Sequence, residues 1–429
     1  MRKKPLLKKN DPNRISFRPC WQEVILNIAV AQSGGPTAAI NASLLGVYRE
    51  AKRSGKVDKV YGALNGIEGV IDDRLVILNE KLDTPEKEEL LRQTPSTVLG
   101  SCRRKLPAPE IATDVYERIF GVFAKYEIGA FFYIGGNDSM DTIDKLSQYG
   151  EMTGSMIRFV GVPKTIDNDL LFTDHTPGFG SAAKYVAATV QEIIRDSSVY
   201  ALDSVTIVEV MGRNAGWLTA SLCVLKAIGE EAPHLIYLPE RPFKVSDFIS
   251  DINEVRQTRR AVVVAVSEGI RLDFEDHADD GRHQVLDGFG HVGQMAGAGK
   301  ALERVVRREL GIKVRAIELN VMQRCSSHIA SLTDITEAEE IGAAAVNAAL
   351  SGETGVMMTI ERLSDEPYRV RYSQTKLHGV AGLEKKFPTE WINDEGNGVK
   401  DEAIKYFFPL IQGEVPIRYE NGLPRHFKL

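Results

Sequence analysis

The sequence lacks the features that mark several classes of protein. Its four cysteines are widely spaced along 429 residues and form no C-x-x-C pair, which argues against a disulfide framework or a zinc site. The longest apolar runs, such as residues 24–31, are far shorter than the roughly 20 residues that cross a bilayer. The basic start, MRKKPLLKKNDPNR, has no apolar stretch of the kind that a secretory signal needs. We therefore expect a cytoplasmic protein without a membrane partner.

The sequence also has no excess of positive charge. Its formal net charge is −6, so nothing in the overall balance indicates a nucleic-acid partner, and any basic site for phosphate groups must be local. Hydrophobic residues make up 43% of the chain and charged residues 26%, which is typical of a globular protein.

What is present is an alternation of short apolar runs with segments of helical period. Roughly nine or more predicted strands alternate with helices, which predicts parallel sheets with helices on both faces, an α/β fold. Residues 271–299 interrupt the alternation with an Asp-, His- and Gly-rich stretch. The spacing of its histidines matches no metal-binding pattern, so we interpret it as a flexible surface insertion.

The most informative stretch is FVGVPKTIDND, residues 159–169. An apolar strand runs to Pro163, which cannot continue a central strand because it has no N–H to donate. The next residues bring a cation, a hydroxyl and carboxylates into one short loop, and Lys164 and Asp167 are the residues of interest there. At the carboxyl end of a strand, a carboxylate can act as a general base and a lysine can neutralise a phosphate.

Other polar clusters also follow predicted strands. Because the carboxyl ends of parallel strands share one edge of a sheet, these clusters predict a cleft that holds several phosphate groups, between two domains. Glycine turns before helices would add backbone N–H donors for an anion. The clusters are Gly34-Gly35, Asn137-Asp138, Lys164 to Asp169, Met211 to Arg213, Glu268 and Arg324.

These segments closely resemble the 6-phosphofructokinase family. The matching elements are SGGPTAAINA, LGSCRR, GGNDS, PKTIDND, VEVMGRNAGW, SEG and RAIELNVMQR, and they extend from about residue 25 to 360. The resemblance implies two Rossmann-like parallel-sheet domains with helices on both faces and the active site in the cleft between them.

The resemblance also implies roles for individual residues. Asp167 corresponds to the base that takes the proton from the sugar hydroxyl, and Arg213 faces the transferred charge. Thr165 and Lys164 complete the expected catalytic set. The expected substrate-binding residues are Thr165, Ile166, Asp167, Met211, Gly212, Arg213, Glu268, Val321 and Arg324. The expected donor-binding residues are Gly35, Arg103, Gly136 and Asp138.

Two positions distinguish the donors that family members use. ATP-dependent members have GGDGS and PGTIDND, whereas diphosphate-dependent members resemble GGDDS and PKTIDND, and this chain has Asp138 and Lys164. A carboxylate at 138 adds bulk and negative charge where an inner nucleotide phosphate would lie. Lys164 adds a cation for the smaller donor. The resemblance therefore implies reversible phosphoryl transfer from diphosphate to the 1-hydroxyl of fructose 6-phosphate.

The resemblance implies Mg²⁺ as the cofactor, with one departure from the pattern. Asn137 replaces the aspartate associated with magnesium and would be a neutral ligand at best, and Asp138 is the other candidate. A homodimer or homotetramer is implied as well. Three alternatives stay open: an ATP-dependent 6-phosphofructokinase, a kinase that favours sedoheptulose 7-phosphate, and a non-catalytic phosphosugar sensor.

We expect the following division of the chain. Residues 1–20 form a mobile extension, and residues 366–429 pack back on the domains. Between them lie a phosphate-donor-binding domain, residues 21–178 plus about 323–365, and a sugar-phosphate-binding domain, residues 179–322.

Overall fold

The computed structural model describes residues 26–272, 297–380 and 382–429. The expected N-terminal extension, residues 1–20, lies outside the described residues, as does almost all of the expected insertion at 271–299. None of the helices in the described ranges has the length and apolarity needed to span a bilayer.

The strands form two main sheets and one small hairpin. The strands are β1 Leu26–Gln32, β2 Val57–Ala63, β3 Leu75–Ile77, β4 Ile128–Gly135, β5 Arg158–Pro163, β6 Ser204–Val210, β7 Leu235–Tyr237, β8 Ala261–Ser267, β9 Lys313–Glu318, β10 Val356–Asp365, β11 Tyr368–Lys376, β12 Tyr419–Glu420 and β13 Leu423–Pro424. The first sheet has seven strands in the order β11-β10-β5-β4-β1-β2-β3. The second has four in the order β7-β8-β6-β9, and β12 pairs with β13.

Helices connect the strands. The α-helices are α1 Ile40–Ser54, α2 Gly66–Ile71, α3 Leu78–Lys81, α4 Pro85–Gln93, α5 Thr113–Lys125, α6 Asn137–Thr153, α7 Phe179–Ser197, α8 Trp217–Ala220, α9 Val245–Arg256, α10 Ala298–Leu310, α11 Met322–Cys325, α12 Leu332–Leu350 and α13 Glu402–Phe407. Three 3₁₀ helices span Ser221–Ile228, Thr389–Trp391 and Phe408–Ile411.

Both main sheets bury their two faces, which confirms the expected α/β class. One apolar cluster on the first sheet contains Val30 and Phe132, and another on its opposite face contains Ala31 and Phe131. Neighbouring residues of a strand point to opposite faces, so helices cover the first sheet on both sides. Two further clusters cover the second sheet in the same way.

The expectation of purely parallel sheets is wrong at the edges of the first sheet. The β2–β3 and β10–β11 pairs are antiparallel, whereas the central pairs are parallel. The turn between β10 and β11 contains only Glu366 and Pro367. A connection this short can join only antiparallel strands, because a parallel pair needs a long crossover.

The chain returns to the first sheet after completing the second. Helix α12 lies against α1, and two glycines permit the close approach of their backbones. A Cβ at Gly46 would lie 1.9 Å from the Glu339 carbonyl oxygen, and one at Gly342 would lie 2.2 Å from the Ser43 carbonyl oxygen. This return carries β10, β11 and the residues after them back toward the cleft between the sheets.

Candidate active site

A cleft of about 610 Å³ lies where strands of both sheets end. The loops after β1, β4 and β5 form its first wall, and those after β6 and β8 form its second. The residues that line it are Gly34, Gly35, Arg103, Lys105, Gly136, Asn137, Asp138, Ser139, Asp141, Lys164, Thr165, Asp167, Asp169, Met211, Arg213, Asn214, Ala215, Glu268, Arg324, Gly382 and Glu384. Most of the side chains predicted for the site therefore meet in one place.

Lys164 is the most deeply buried cation of the first wall, at 2% exposure. Its backbone N–H extends the ladder between β5 and β4 by donating to the Gly135 carbonyl, and its Nζ donates to the Gly35 carbonyl at 2.7 Å. A Cβ at Gly34 would lie only 3.3 Å from this Nζ. The glycine turn after β1 therefore leaves room for the ammonium beside its backbone.

Burial decides the protonation of this lysine. It lowers the pKa of Lys164 to about 8, although Asp167 and Asp169 oppose the shift. The protonated form of Lys164 is therefore less stable than that of an exposed lysine. An anionic ligand beside the ammonium would compensate for the lost solvation.

Asp167 is held by the threonine at the start of its own loop. The Thr165 hydroxyl accepts from the Asp167 N–H at 3.1 Å and donates to Asp167 Oδ2 at 3.3 Å. Asn168 adopts a left-handed backbone with φ of 55°, and its Nδ2 donates to the Tyr406 hydroxyl at 2.9 Å. Burial raises the pKa of Asp167, while the Thr165 hydroxyl, Lys164 and Arg213 act in the opposite direction. A raised pKa suits a carboxylate that must accept a proton.

The second wall is built by the loops after β6 and β8. The Met211 N–H donates to Gln323 Oε1 at 3.1 Å, and the Gly212 N–H lies 3.4 Å from Glu268 Oε1. Burial raises the pKa of Glu268 to about 7. Because its carboxyl group lines the cleft, Glu268 can accept a hydrogen bond from a hydroxyl or, once protonated, donate one.

Arg324 extends from α11 toward the first wall. Its Nη1 would be 3.5 Å from a Cβ at Gly35. Its Nε is buried and has no hydrogen-bond partner within the part of the chain that the structure describes. A buried guanidinium nitrogen without a partner is costly, so an anionic ligand at this point would be bound with charge-assisted hydrogen bonds.

The start of α6, in the first wall, carries an ion pair. Asp138 lies in the first turn of α6, and its Oδ1 is 3.1 Å from Lys105 Nζ. Arg103 lines the same region. The carboxylate, its lysine and Gly136 all line the cleft.

Three predicted site residues do not line the cleft, Gly212 among them, and a fourth lines it with its side chain already hydrogen-bonded. Val321 does not line the cleft, because it stands at the solvent-facing start of α11 with 43% of its surface exposed. Ile166 packs its side chain into the apolar cluster behind the loop instead. Asn137 lines the cleft, but its carboxamide is bonded to the backbone of Gly382 and Leu383. The metal role expected for Asn137 stays a prediction. These two hydrogen bonds compete with such a role, because they use both polar atoms of the carboxamide.

Sequence reasoning also assigned no role to several residues that line the cleft. Asp169 could have been predicted, because it ends the TIDND element. Burial, together with the charges of Asp167 and Glu384, raises its pKa to about 7. Asn214 follows Arg213 directly in the chain. Gly382 and Glu384 come from a stretch without any recognisable motif, so no local signal could have identified them.

The cleft contains carboxylates of the kind that a divalent cation uses together with a phosphate ligand. Among the described residues, no three His, Cys, Asp or Glu side chains are grouped so as to hold a metal by themselves. Asp138 and Asp169 nevertheless both line the cleft. Mg²⁺ commonly uses only one or two carboxylates and completes its shell with waters and substrate phosphates.

Comparison with known proteins identifies the relatives of this chain. The family model described as phosphofructokinase matches residues 27–349. The chain is 42% identical over 407 residues to the pyrophosphate–fructose 6-phosphate 1-phosphotransferase of Xanthomonas campestris pv. campestris (strain B100), which covers 94% of this chain and 96% of the relative. It is 39% identical to the enzyme of that name from Halomonas elongata, with the same coverage. The crystal structure of a pyrophosphate-dependent phosphofructokinase from Marinobacter aquaeolei superimposes with a TM-score of 0.82 at 38% identity, covering 94% of this chain and 96% of that one.

Proposed function

The chain belongs to the phosphofructokinase family, and we propose that it transfers a phosphoryl group reversibly from diphosphate to the 1-hydroxyl of fructose 6-phosphate. The observation that carries the choice of donor is the pairing of two features in the first wall. Lys164 is buried beside the Gly35 carbonyl, and the Asp138 carboxylate lines the same wall. Relatives named for this reaction align with nearly the whole chain, which supports the same choice.

Each wall of the cleft has its own task in this proposal. Lys164, Arg103 and the glycine turns at Gly35 and Gly136 bind the donor. Met211, Gly212 and Glu268 of the second wall bind the sugar, and Arg324, which extends from α11 toward Gly35, binds its phosphate group. The separation of tasks follows from the two walls, because donor and acceptor must approach each other from opposite sides for an in-line displacement.

The reaction begins with a proton transfer to Asp167. This carboxylate takes the proton of the 1-hydroxyl, the oxygen attacks the near phosphorus of diphosphate, and inorganic phosphate leaves. Thr165 keeps the carboxylate oriented, while Lys164 and Arg213 stabilise the charge that spreads over the transferring group. Because the leaving group is a phosphate rather than a nucleotide, the reaction runs readily in both directions.

We propose Mg²⁺ as the metal, held by Asp138 and Asp169 together with the phosphates of the donor. When bound, this ion would neutralise phosphoryl oxygens and so lower the cost of bringing an anionic nucleophile toward them.

The remaining expectations are proposals as well. We propose the two-domain division stated above, except that β11 belongs to the first domain because it pairs with β10, together with a homodimer or homotetramer and a cytoplasmic location. Exposed apolar side chains at Val199, Tyr200 and Leu202 support an assembly, since a patch of this kind is suited to contact between subunits. The free thiols of Cys102, Cys223 and Cys325 support a reducing compartment.

A donor comparison tests the proposed reaction. Initial rates are measured with diphosphate and with ATP, each with fructose 6-phosphate and Mg²⁺, and then with sedoheptulose 7-phosphate as acceptor. The wild type should use diphosphate and show little or no turnover with ATP. A preference for ATP would overturn the proposal, and a preference for the longer sugar would correct its acceptor.

The variant Asp138→Gly sharpens the same test. The change removes a negative charge from the donor wall and releases Lys105 from its ion pair, so ATP-dependent turnover should become detectable while diphosphate turnover falls. Asp247→Gly is the matched control, because Asp247 also lies in the first turn of a helix but is exposed and outside the cleft. Unchanged use of both donors by Asp138→Gly would contradict the role of Asp138.

A further inference from the structure

The segment of residues 382–387, which we call the strap, crosses between the two walls of the cleft. It lies beyond residues 27–349, which match the family model, and it contains none of the motifs on which the proposed function depends. Two of its residues, Gly382 and Glu384, line the cleft. The strap therefore belongs to the site by position, although nothing in its sequence indicates this.

The strap makes one set of hydrogen bonds to the first wall. The Gly382 N–H donates to Asn137 Oδ1, and Asn137 Nδ2 donates to the Leu383 carbonyl, both at 2.7 Å. The Lys385 N–H donates to the backbone carbonyl of Asp169 at 2.7 Å. The loop that carries Asp167 is thus bonded to the strap two residues beyond the base.

The strap makes a second set of hydrogen bonds to the second wall. Asn214 Nδ2 donates to Glu384 Oε1 at 2.6 Å, and Lys386 Nζ returns a bond to the Asn214 carbonyl at 2.6 Å. The Trp217 indole N–H donates to the Lys385 carbonyl at 2.9 Å. At the end of the strap, the Phe387 N–H donates at 3.0 Å to Oε1 of Glu240, which follows β7 and also accepts from the Gly216 N–H of the loop after β6.

These contacts alternate along the backbone in a way that links the walls. Lys385 is the clearest case, because its N–H bonds to the first wall and its carbonyl to the second. Its side chain also points back to the first wall, where Nζ donates to the carbonyls of Thr173 and Asp174. A displacement of one wall relative to the other must therefore break hydrogen bonds of the strap.

We propose that the strap sets the spacing of the two walls and that Asn137 is a positioning residue that anchors it on the donor side. Asparagine suits this task because it offers one donor and one acceptor to two consecutive residues of the strap. An aspartate would keep the bond from the Gly382 N–H but would lose the donor and place a negative charge against the Leu383 carbonyl. This is a physical reason for the amide at 137 in this chain.

The proposal and a metal-ligand role for Asn137 predict opposite results for one substitution. If Asn137 acts as a weak metal ligand, Asn137→Asp strengthens that ligand, so metal affinity and kcat should rise. If Asn137 anchors the strap, Asn137→Asp releases the strap, so metal affinity should not rise and kcat should fall.

The first readout is hydrogen exchange, which does not depend on the proposed reaction. In Asn137→Asp and in Asn137→Ala, amide protection across residues 382–387 should fall by about tenfold or more, the effect of losing one or two neutral hydrogen bonds. The fluorescence of Trp217 should change as well, because its indole is bonded to the strap. Asn253→Asp is the control: Asn253 is exposed, the substitution makes the same charge change, and the acceptor for Arg256 is preserved.

The second readout is kinetic and rests on the proposed function. A loss of spacing should lower kcat of the folded enzyme by roughly 10- to 100-fold, since small misplacements of reacting groups cost about this much. The KM values for diphosphate and fructose 6-phosphate should change by less, because each wall keeps its own binding groups. A residue that only stabilised the fold would lower the melting temperature without this change in kcat.

The outcomes are distinct. Lost protection in both Asn137 variants, with unchanged Mn²⁺ affinity in a paramagnetic resonance titration, supports the proposal even if the substrates differ from those proposed. Wild-type protection in Asn137→Ala overturns it. Tighter Mn²⁺ binding and a higher kcat in Asn137→Asp overturn it as well, in favour of the metal-ligand role.

Discussion

Two clusters of ionisable groups flank the same loop, and they differ in how their charges are met. In the cleft, Lys164 is buried, and burial lowers its pKa to about 8. Behind the loop, His175 is equally buried, yet its pKa is raised to about 9. Burial acts in the same direction on both cations, so the difference lies in their partners.

The partners of His175 are close and complete. Its Nδ1 lies 2.8 Å from Asp174 Oδ2 and its Nε2 lies 2.6 Å from Glu337 Oε2, so two carboxylates outweigh the cost of burial. Arg362 and the Tyr368 hydroxyl complete the coordination of these carboxylates. These groups, which we call the balanced cluster, meet the charge of His175 with a carboxylate on each side.

The cleft cluster, which we define as Lys164, Asp167 and Arg324, is compensated differently. Lys164 bonds to a neutral carbonyl, and Arg324 keeps a buried nitrogen without a partner among the described residues. The two buried cations therefore differ in their nearest partners, which are two carboxylates for His175 and a neutral carbonyl for Lys164, and this difference favours Lys164 as the candidate for an anionic ligand.

The largest expected effect comes from removing the proposed general base of the cleft cluster, Asp167. Asp167→Asn keeps the shape of the side chain but removes its ability to take a proton, so kcat should fall by about 10²- to 10⁴-fold. The KM for fructose 6-phosphate should change little. Steady-state kinetics measures both, with Asp394→Asn as the control because Asp394 is exposed at the surface. A fall in kcat of less than about tenfold would contradict the role of Asp167.

The next effect breaks the balanced cluster. His175→Gln removes the cation between two buried carboxylates, so the free energy of unfolding should fall by about 3 kcal/mol, while kcat of the folded enzyme should change little. Chemical denaturation measures the loss, and His378→Gln is the control because that histidine is 90% exposed in its side chain. A large loss of kcat with unchanged stability would show that the cluster serves the reaction.

The same variant has a pH signature. The folded pKa of His175, about 9, exceeds the usual value of 6.5, so its contribution is complete below pH 6.5 and is lost as the pH rises through about 9. The stability difference between wild type and His175→Gln should therefore shrink over that interval. A difference that is constant from pH 6.5 to 9 would contradict a charged His175.

The sequence predicted the cleft cluster better than the balanced one. Strand, glycine turn and helix are local patterns, so the loops at Gly34, Asn137 and Lys164 could be assigned to one sheet edge from the order of residues alone. His175 and Glu337 are 162 positions apart, and nothing near either indicates the other. The strap escaped prediction for the same reason, since Asn137 and Leu383 are separated by 246 positions.

The antiparallel pairing at the edges of the first sheet was not predicted, for a different reason. The residues of β11, Tyr368–Lys376, are all exposed or half-buried, so the strand lacks the buried apolar run by which the central strands were recognised. Local periodicity thus predicts what a strand or helix buries, whereas pairing at a sheet edge and contacts across the cleft depend on the complete fold.

The smallest expected effect sharpens the contrast between the two cations through pH. Lys164 binds its proton with a pKa of about 8 in the free protein, so kcat/KM for diphosphate should fall toward tenfold per pH unit above that value. A bound diphosphate would stabilise the ammonium, so the corresponding fall in kcat should begin at a higher pH. Diphosphate also changes its ionisation over this pH range. Lys164→Met separates the ionisation of the substrate from that of the lysine, because only the substrate still titrates in the variant. The ratio of wild-type to Lys164→Met kcat/KM should be constant below pH 7 and should decline above about 8. A ratio that does not change with pH would mean that the ammonium of Lys164 does not meet the donor.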